Sequence, residues 1–157
     1  VMPRASQGGE PVADLHVRRS QLKGIAVPES LVPLAIDELP VLFIAAAAAQ
    51  GDTVFTGAAE LRVKESDRLA VMADGLTRLG VANQLAPDGI RIEGGAGRRL
   101  GGGEIESHGD HRIAMSFTVA SLLADAPIRV RDTENVGTSF PGFVDIARAT
   151  GLKVREE

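Results

Sequence analysis

With 157 residues and 44% hydrophobic content, the chain is long enough for one globular domain or one large lobe with a real core. A net charge of -4 and 3% aromatic content, with neither Trp nor Tyr, exclude a basic or base-stacking nucleic-acid binder. There is no cysteine for a disulfide, a thiolate nucleophile or a cysteine metal site, and the longest apolar run, Val41–Ala49, falls far short of the ~20 residues of a membrane helix. We therefore expect a soluble, cytoplasmic protein that engages neither membrane nor nucleic acid.

The chain opens Val1-Met2-Pro3-Arg4 and passes soon to a strand-like pattern, the look of a piece cut from a longer protein. Residues 1–11 read as a polar, Gly-containing lead-in. Val12–Arg18 alternates apolar and polar residues, the period of a half-buried strand. Gly24–Val27 is a second short extended run, and Pro28, Pro33 and Pro40 punctuate the segment after it. Asp37-Glu38 stands just before Val41–Ala49, a helix apolar all round and therefore expected to be buried. Gly51-Asp52 ends it, and Thr53–Thr56 is a β-branched strand.

From Ser66 onward, Leu69, Met72, Leu76 and Leu79 recur at spacings of three and four, so one helical stripe faces the core and Gly80 closes the helix. Val81–Leu85 and Gly89–Glu93 flank the turn signal Pro87-Asp88-Gly89 and predict a hairpin. Gly94–Gly103 is a Gly/Arg loop that lacks the ending of a phosphate-binding P-loop. Glu104–His108 predicts a strand, Ile113–Ala124 a second nearly all-apolar helix and Ile128–Arg131 another strand. The final helix is expected to open at Thr138-Ser139-Phe140-Pro141, capped by Thr138 or Ser139, with Phe143, Ile146 and Ala147 buried. Four times an extended segment meets polar residues and passes into a helix, a repeat in organisation rather than in letters.

Three of these junctions carry chemistry. If the second helix begins near Glu65-Ser66, Lys64 and Arg68 converge on one anion, and Glu65 and Arg68, three apart, orient each other. The helix start adds partial positive charge. The bland alternative is a solvated first turn with a surface ion pair. At Asp110-His111-Arg112 a cation in the first turn opposes the helix dipole, so Arg112 asks for an anion, either a ligand or Glu104 or Glu106. His111 suits general acid or base work. Asp37-Glu38 suits either simple capping of its helix or a base role beside the other clusters. His108 and His111 with Glu104, Glu106 and Asp110 admit a metal reading, disfavoured because one His ends a strand and the other starts a helix.

Together, L-R-V-K-E-S-D-R-L, G-D-H-R-I-A-M-S-F and T-S-F-P-G-F, with I-D-E-L-P upstream, resemble the C-terminal part of the 5-enolpyruvylshikimate-3-phosphate synthase family, from about Val12 onward. The first two motifs separate that family from its sibling, the UDP-N-acetylglucosamine enolpyruvyl transferases. The resemblance implies an α/β (α+β) fold of two lobes built from βαβαββ units, buried helices inside and sheets outside. Residues 12–157 would then form a single lobe facing a missing N-terminal lobe.

It also implies the reaction, in which the 5-hydroxyl of shikimate 3-phosphate adds to phosphoenolpyruvate and inorganic phosphate is lost, with no metal or organic cofactor. By motif, Asp37 resembles the base that also contacts shikimate 3-phosphate, Lys64 a residue touching both substrates and Glu65 a proton-transfer group. Arg68 and Arg112 resemble the phosphoenolpyruvate grips, with His111 beside them. Where some members carry a phosphate-contacting Lys before the F-P pair, this chain has Thr138-Ser139, resembling a T-S-F-P branch that includes glyphosate-tolerant enzymes; tolerance does not follow from it. The competing expectation is a non-catalytic binding domain that kept the fold, against which Lys64, Glu65, Arg68, His111 and Arg112 stand together.

Overall fold

The computed structural model describes residues 1–3 and 6–156. Arg4 and Ala5, in the expected lead-in, and Glu157, at the end of the expected lobe, lie outside the described residues.

Two successive crossover units make up the chain. In the first, an extended strip over residues 22–27 hydrogen-bonds alongside β3 (Gln50–Phe55), with parallel bridges from Lys23 to Gln50 and from Ala26 to Val54. Between strip and strand runs α1 (Leu39–Ala48), entered through a 3-10 turn at Pro33–Glu38. It begins two residues earlier than the apolar run, since Pro40 fits the first turn, where its missing N–H costs nothing. After β3 comes α2 (Arg68–Arg78), then the hairpin β4 (Asn83–Ala86) and β5 (Gly89–Gly95). β5 lies between β3 and β4, antiparallel to both. Strand, helix, strand, helix and two strands make one complete βαβαββ unit. The second unit starts with β6 (Gly103–Glu106), crosses over through α3 (His111–Ala120) and returns as β7 (Ile128–Arg131), parallel to β6.

The helices form for local reasons. The stripe on α2 is fully buried: Leu69, Met72 and Leu76 are at 0% exposure. Asp67 caps it by accepting from the Ala70 N–H at 3.0 Å, and Gly80 ends it at φ +82, a value open to glycine without strain. α2 therefore starts two residues later than Ser66, leaving Lys64 and Glu65 in the loop ahead of it. The core lies between α1, α2 and α3 and one face of the three-stranded sheet, and Phe43 and Phe55 meet in it edge to face at 4.7 Å. β3 and β5 alternate buried and open positions, as expected for a sheet covered on one side.

The expected burial of α1 holds on one side only. Phe43, Ile44 and Ala47 are buried, whereas Val41 and Leu42 are 38% and 41% exposed, and Val41 borders an apolar recess shared with Leu22, Val119 and Leu122. A helix without a polar face has no side suited to water.

Two expectations from the sequence are corrected. Val12–Arg18 is not a half-buried strand: only β2 (Ala13–Asp14) pairs, antiparallel with β1 (Met2–Pro3), while Leu15 and Val17 are 73% and 88% exposed. Alternation marks a strand only where a sheet offers it a neighbour and a core face, and no such sheet lies beside this segment among the described residues. At the other end, Thr138 and Ser139 do not cap a helix start. They close α4 (Glu134–Ser139), and α5 (Phe143–Ala149) follows Gly142, which sits in the left-handed region at its N-cap. Pro141 forces Phe140 out of helical geometry, which splits the segment. On α5 Ala147 is buried, but Ile146 is half exposed.

Candidate functional site

The starts of all three long helices meet at one place. Asp37 is the penultimate residue of the 3-10 turn ahead of α1. Lys64 and Glu65 lie between the 3-10 turn Ala59–Val63 and α2, whose first residue is Arg68. Asp110 caps α3, and His111 and Arg112 are its first two residues.

Arg68 is the centre, with its side chain only 1% exposed. Its Nη1 donates to Asp37 Oδ1 at 3.0 Å, its Nη2 to Glu65 Oε2 at 2.5 Å and its Nε to Asp110 Oδ2 at 2.8 Å. Lys64 Nζ lies 3.7 Å from the same Asp37 oxygen and 2.5 Å from Glu60. Arg112 donates from Nη1 to the Asp37 carbonyl at 2.9 Å and brings Nη2 to 3.8 Å from its carboxylate, with Glu38 at 3.5 Å. Three cations thus face one aspartate. Arg112 does find an anion, but not Glu104 or Glu106: Glu104 pairs with Arg131 at 3.0 Å.

The electrostatics follow. Burial pushes the Asp37 carboxyl up, but the Arg112 charge, the Arg68 hydrogen bond and the Lys64 charge together hold it below the ordinary aspartate value. At Asp110 burial is again opposed, and outweighed, by Arg68, Ser66 and the Arg112 N–H, so that carboxyl too is held low. Burial works against the Arg68 charge, yet the bonds from Asp110 prevail and keep it protonated. Lys64 is raised, first by its bond to Glu60.

Five of the residues singled out in the sequence, Asp37, Lys64, Glu65, Arg68 and Arg112, join this network, and half-buried His111 adjoins it in the chain between Asp110 and Arg112. Among the described residues His111 makes none of the bonds that knit the cluster. Arg62 and Asp67 serve the fold instead, bridging each other at 2.8 Å while Arg62 also reaches the Pro87 and Ala86 carbonyls. Thr138 is exposed near the end of α4. Among the described residues no group of three or more His, Asp or Glu side chains is arranged to hold a metal ion; Glu104 and Asp110 are both committed to arginines. Nor is any helix long and apolar enough to cross a membrane.

Sequence reasoning missed Asp110 as a member of the site. It reads as an ordinary cap, but it is completely buried and binds Arg68 as well as its own helix. The available signal was Ser66, a polar residue beside Arg68 whose hydroxyl reaches Asp110 at 2.9 Å.

One complete βαβαββ unit and the start of a second bring cationic helix starts and their paired carboxylates to one junction, and so define a mixed α/β domain with a charged cluster where its helices begin. The chain belongs to the EPSP synthase (3-phosphoshikimate 1-carboxyvinyltransferase) family, whose profile matches residues 5–146. A 3-phosphoshikimate 1-carboxyvinyltransferase of Alkalilimnicola ehrlichii is 63% identical over 145 residues, which are 92% of this chain and 32% of that protein. One from Legionella pneumophila is 56% identical over 99% of this chain and 35% of its own length. A solved EPSP synthase structure from Acinetobacter baumannii superposes with a TM-score of 0.90 at 58% identity, covering 96% of this chain and 35% of that one. The chain thus spans about a third of the length of the relatives it matches.

Proposed function

We propose that the chain is the C-terminal portion of an enzyme that transfers the enolpyruvyl group of phosphoenolpyruvate to the 5-hydroxyl of shikimate 3-phosphate, a step of aromatic amino acid biosynthesis. The observation that carries this reading is the convergence of Lys64, Arg68 and Arg112 on the Asp37 carboxylate, with Glu65 bonded to Arg68. Two arginines in fork geometry and a lysine suit a ligand bearing both a carboxylate and a phosphate. The carboxylates suit the proton movements.

In this reading Arg68 and Arg112 grip phosphoenolpyruvate and Lys64 touches both substrates. Asp37 takes the proton from the 5-hydroxyl as its oxygen bonds to C2 of phosphoenolpyruvate, while Glu65 delivers a proton to C3, making it a methyl group. Loss of a C3 proton then restores the double bond as the C2–O bond to phosphate breaks, releasing inorganic phosphate. His111 stands beside the grips. An Asp37 held low by three cations is a weak base; phosphoenolpyruvate neutralising Arg68 and Arg112 would raise its basicity when the substrate is bound.

The site is half of one. Three cations face five carboxylates here, from Asp37, Glu38, Glu60, Glu65 and Asp110. A net negative cluster repels an anionic substrate, so the remaining two-thirds of the parent must supply positive charge and most contacts to shikimate 3-phosphate, and the isolated piece is inactive. A span of a third is less than half of a two-lobe enzyme, so we read residues 12–157 as the larger part of one lobe; the open apolar side of α1 fits a missing neighbour within it. A cytoplasmic location goes with phosphorylated substrates that a bilayer excludes. Phosphate release by the full-length parent, measured with each substrate omitted in turn, tests the reading: release without shikimate 3-phosphate, or none with both substrates, sinks it.

A further inference from the structure

We propose that Asp110 is a positioning residue of the anion site, holding the inner edge of the Arg68 guanidinium and the first turn of α3, so that Arg68 and Arg112 keep a fixed relation to each other. The proposal rests on the reading of those two arginines as the phosphoenolpyruvate grips.

Asp110 is completely buried, and its acceptor capacity is used up. Oδ2 accepts from Arg68 Nε at 2.8 Å and from Ser66 Oγ at 2.9 Å; Oδ1 accepts from the Arg112 N–H at 3.0 Å and from Arg68 Nη2 at 3.4 Å. A carboxylate offers about four such sites. None is left for a substrate or a proton, so the residue acts through its partners.

The partners differ in how firmly they hold Arg68. On the inner side stands this immobile carboxylate; on the outer side stand Asp37 and Glu65, 41% and 53% exposed, which can swing aside for a ligand anion. Ligand exchange is therefore confined to the outer edge, which the inner bond keeps in a fixed plane. The same Asp110 side chain caps α3 and so sets where Arg112 begins. The loop ahead of it is fastened in turn: Ser107 Oγ lies 2.8 and 2.6 Å from the Arg131 and Asp132 carbonyls, and Asn135 donates to the Gly109 carbonyl at 2.7 Å.

Asp110→Asn separates positioning from charge. It keeps one oxygen for the Arg112 N–H but presents a donor to Arg68, and it leaves the cluster more positive. Charge alone would tighten phosphoenolpyruvate binding, whereas lost alignment weakens it. In the full-length parent we expect D110N to raise KM for phosphoenolpyruvate about tenfold or more, with kcat and KM for shikimate 3-phosphate moving less than about threefold. Ser66→Ala, which removes one neutral bond to Asp110, should move the phosphoenolpyruvate KM in the same direction by about two- to threefold. An unchanged or lowered KM for phosphoenolpyruvate in D110N, or equal losses for both substrates, overturns the proposal. If D110N does not fold by circular dichroism, S66A decides on the same criterion. An inactive wild-type parent overturns the functional reading and this proposal with it; an active parent with both variants unmoved overturns this proposal alone.

Discussion

Arg112 donates to the backbone carbonyl of Asp37 across 75 residues of sequence, joining the start of α3 to the entry of α1 at 2.9 Å. A carbonyl is a fixed acceptor, unlike a side chain that can turn away. This bond orients the guanidinium while leaving it about a third exposed, with its remaining donors near Asp37 and Glu38.

Arg112→Ala in the full-length parent should therefore cost function far more than stability. A donor aimed at substrate charge is worth about a hundredfold in rate, whereas a partly exposed ion pair contributes about 1 kcal/mol or less. Steady-state phosphate release should show kcat/KM for phosphoenolpyruvate down about a hundredfold, with Arg112→Lys intermediate because it keeps the charge and loses the fork. Unchanged kinetics would remove Arg112 from the site.

Acid should loosen this junction only at low pH. Asp37 and Asp110 both have folded-state values below the ordinary 3.8 of aspartate. A group depressed in this way contributes its full stabilisation above the unfolded value and loses it as pH falls from there through the folded one. Stability measured by denaturant titration should be level with respect to these two groups above about pH 5 and fall below pH 4. The fall should be shallower in Asp110→Asn, and an equally steep one would mean that other carboxylates dominate.

Gly75 in α2 is predicted to resist the substitution that helix propensity favours. Alanine there gains about 1 kcal/mol of intrinsic preference. Its Cβ, however, would lie 2.2 Å from Cζ of Phe117 on α3, a ring at 0% exposure with nowhere to retreat. Overpacking of this kind costs about 1–3 kcal/mol. We expect Gly75→Ala to lower the melting temperature of the chain; a rise would show that α2 and α3 can separate freely.

The apolar side of α1 should make the isolated chain adhesive. Val41 opens onto an apolar recess shared with α3, and Leu42 beside it is 41% exposed. Such a patch binds hydrophobic dyes and promotes association. Dye fluorescence and sedimentation should report both for residues 1–157, and Val41→Lys should reduce both. A dye-silent monomer would mean that the recess closes on itself.

Much of the fold is legible in the letters because helix and hairpin signals are local. The Leu69-Met72-Leu76-Leu79 stripe and the Pro87-Asp88-Gly89 turn depend on neighbours a few residues away. Val12–Arg18 misleads for the complementary reason, since a period of two describes a strand only when a sheet receives it. The Thr138-Ser139-Phe140-Pro141 run carries both stop and start signals, and the choice between them rests on Glu134–Ser139 docking through buried Val136.

By itself the sequence determined the three long helices, their order, the charged residues at their starts and, through its motifs, the family. Only the tertiary structure decided which charges meet. Arg68 reaches Asp37 across 31 positions and Asp110 across 42, separations at which no periodicity operates, because the partners are chosen by which helix ends the shared core brings together. It also decided that Asp110 is sealed from water while Asp37 is not, and burial governs whether a carboxylate can change partners.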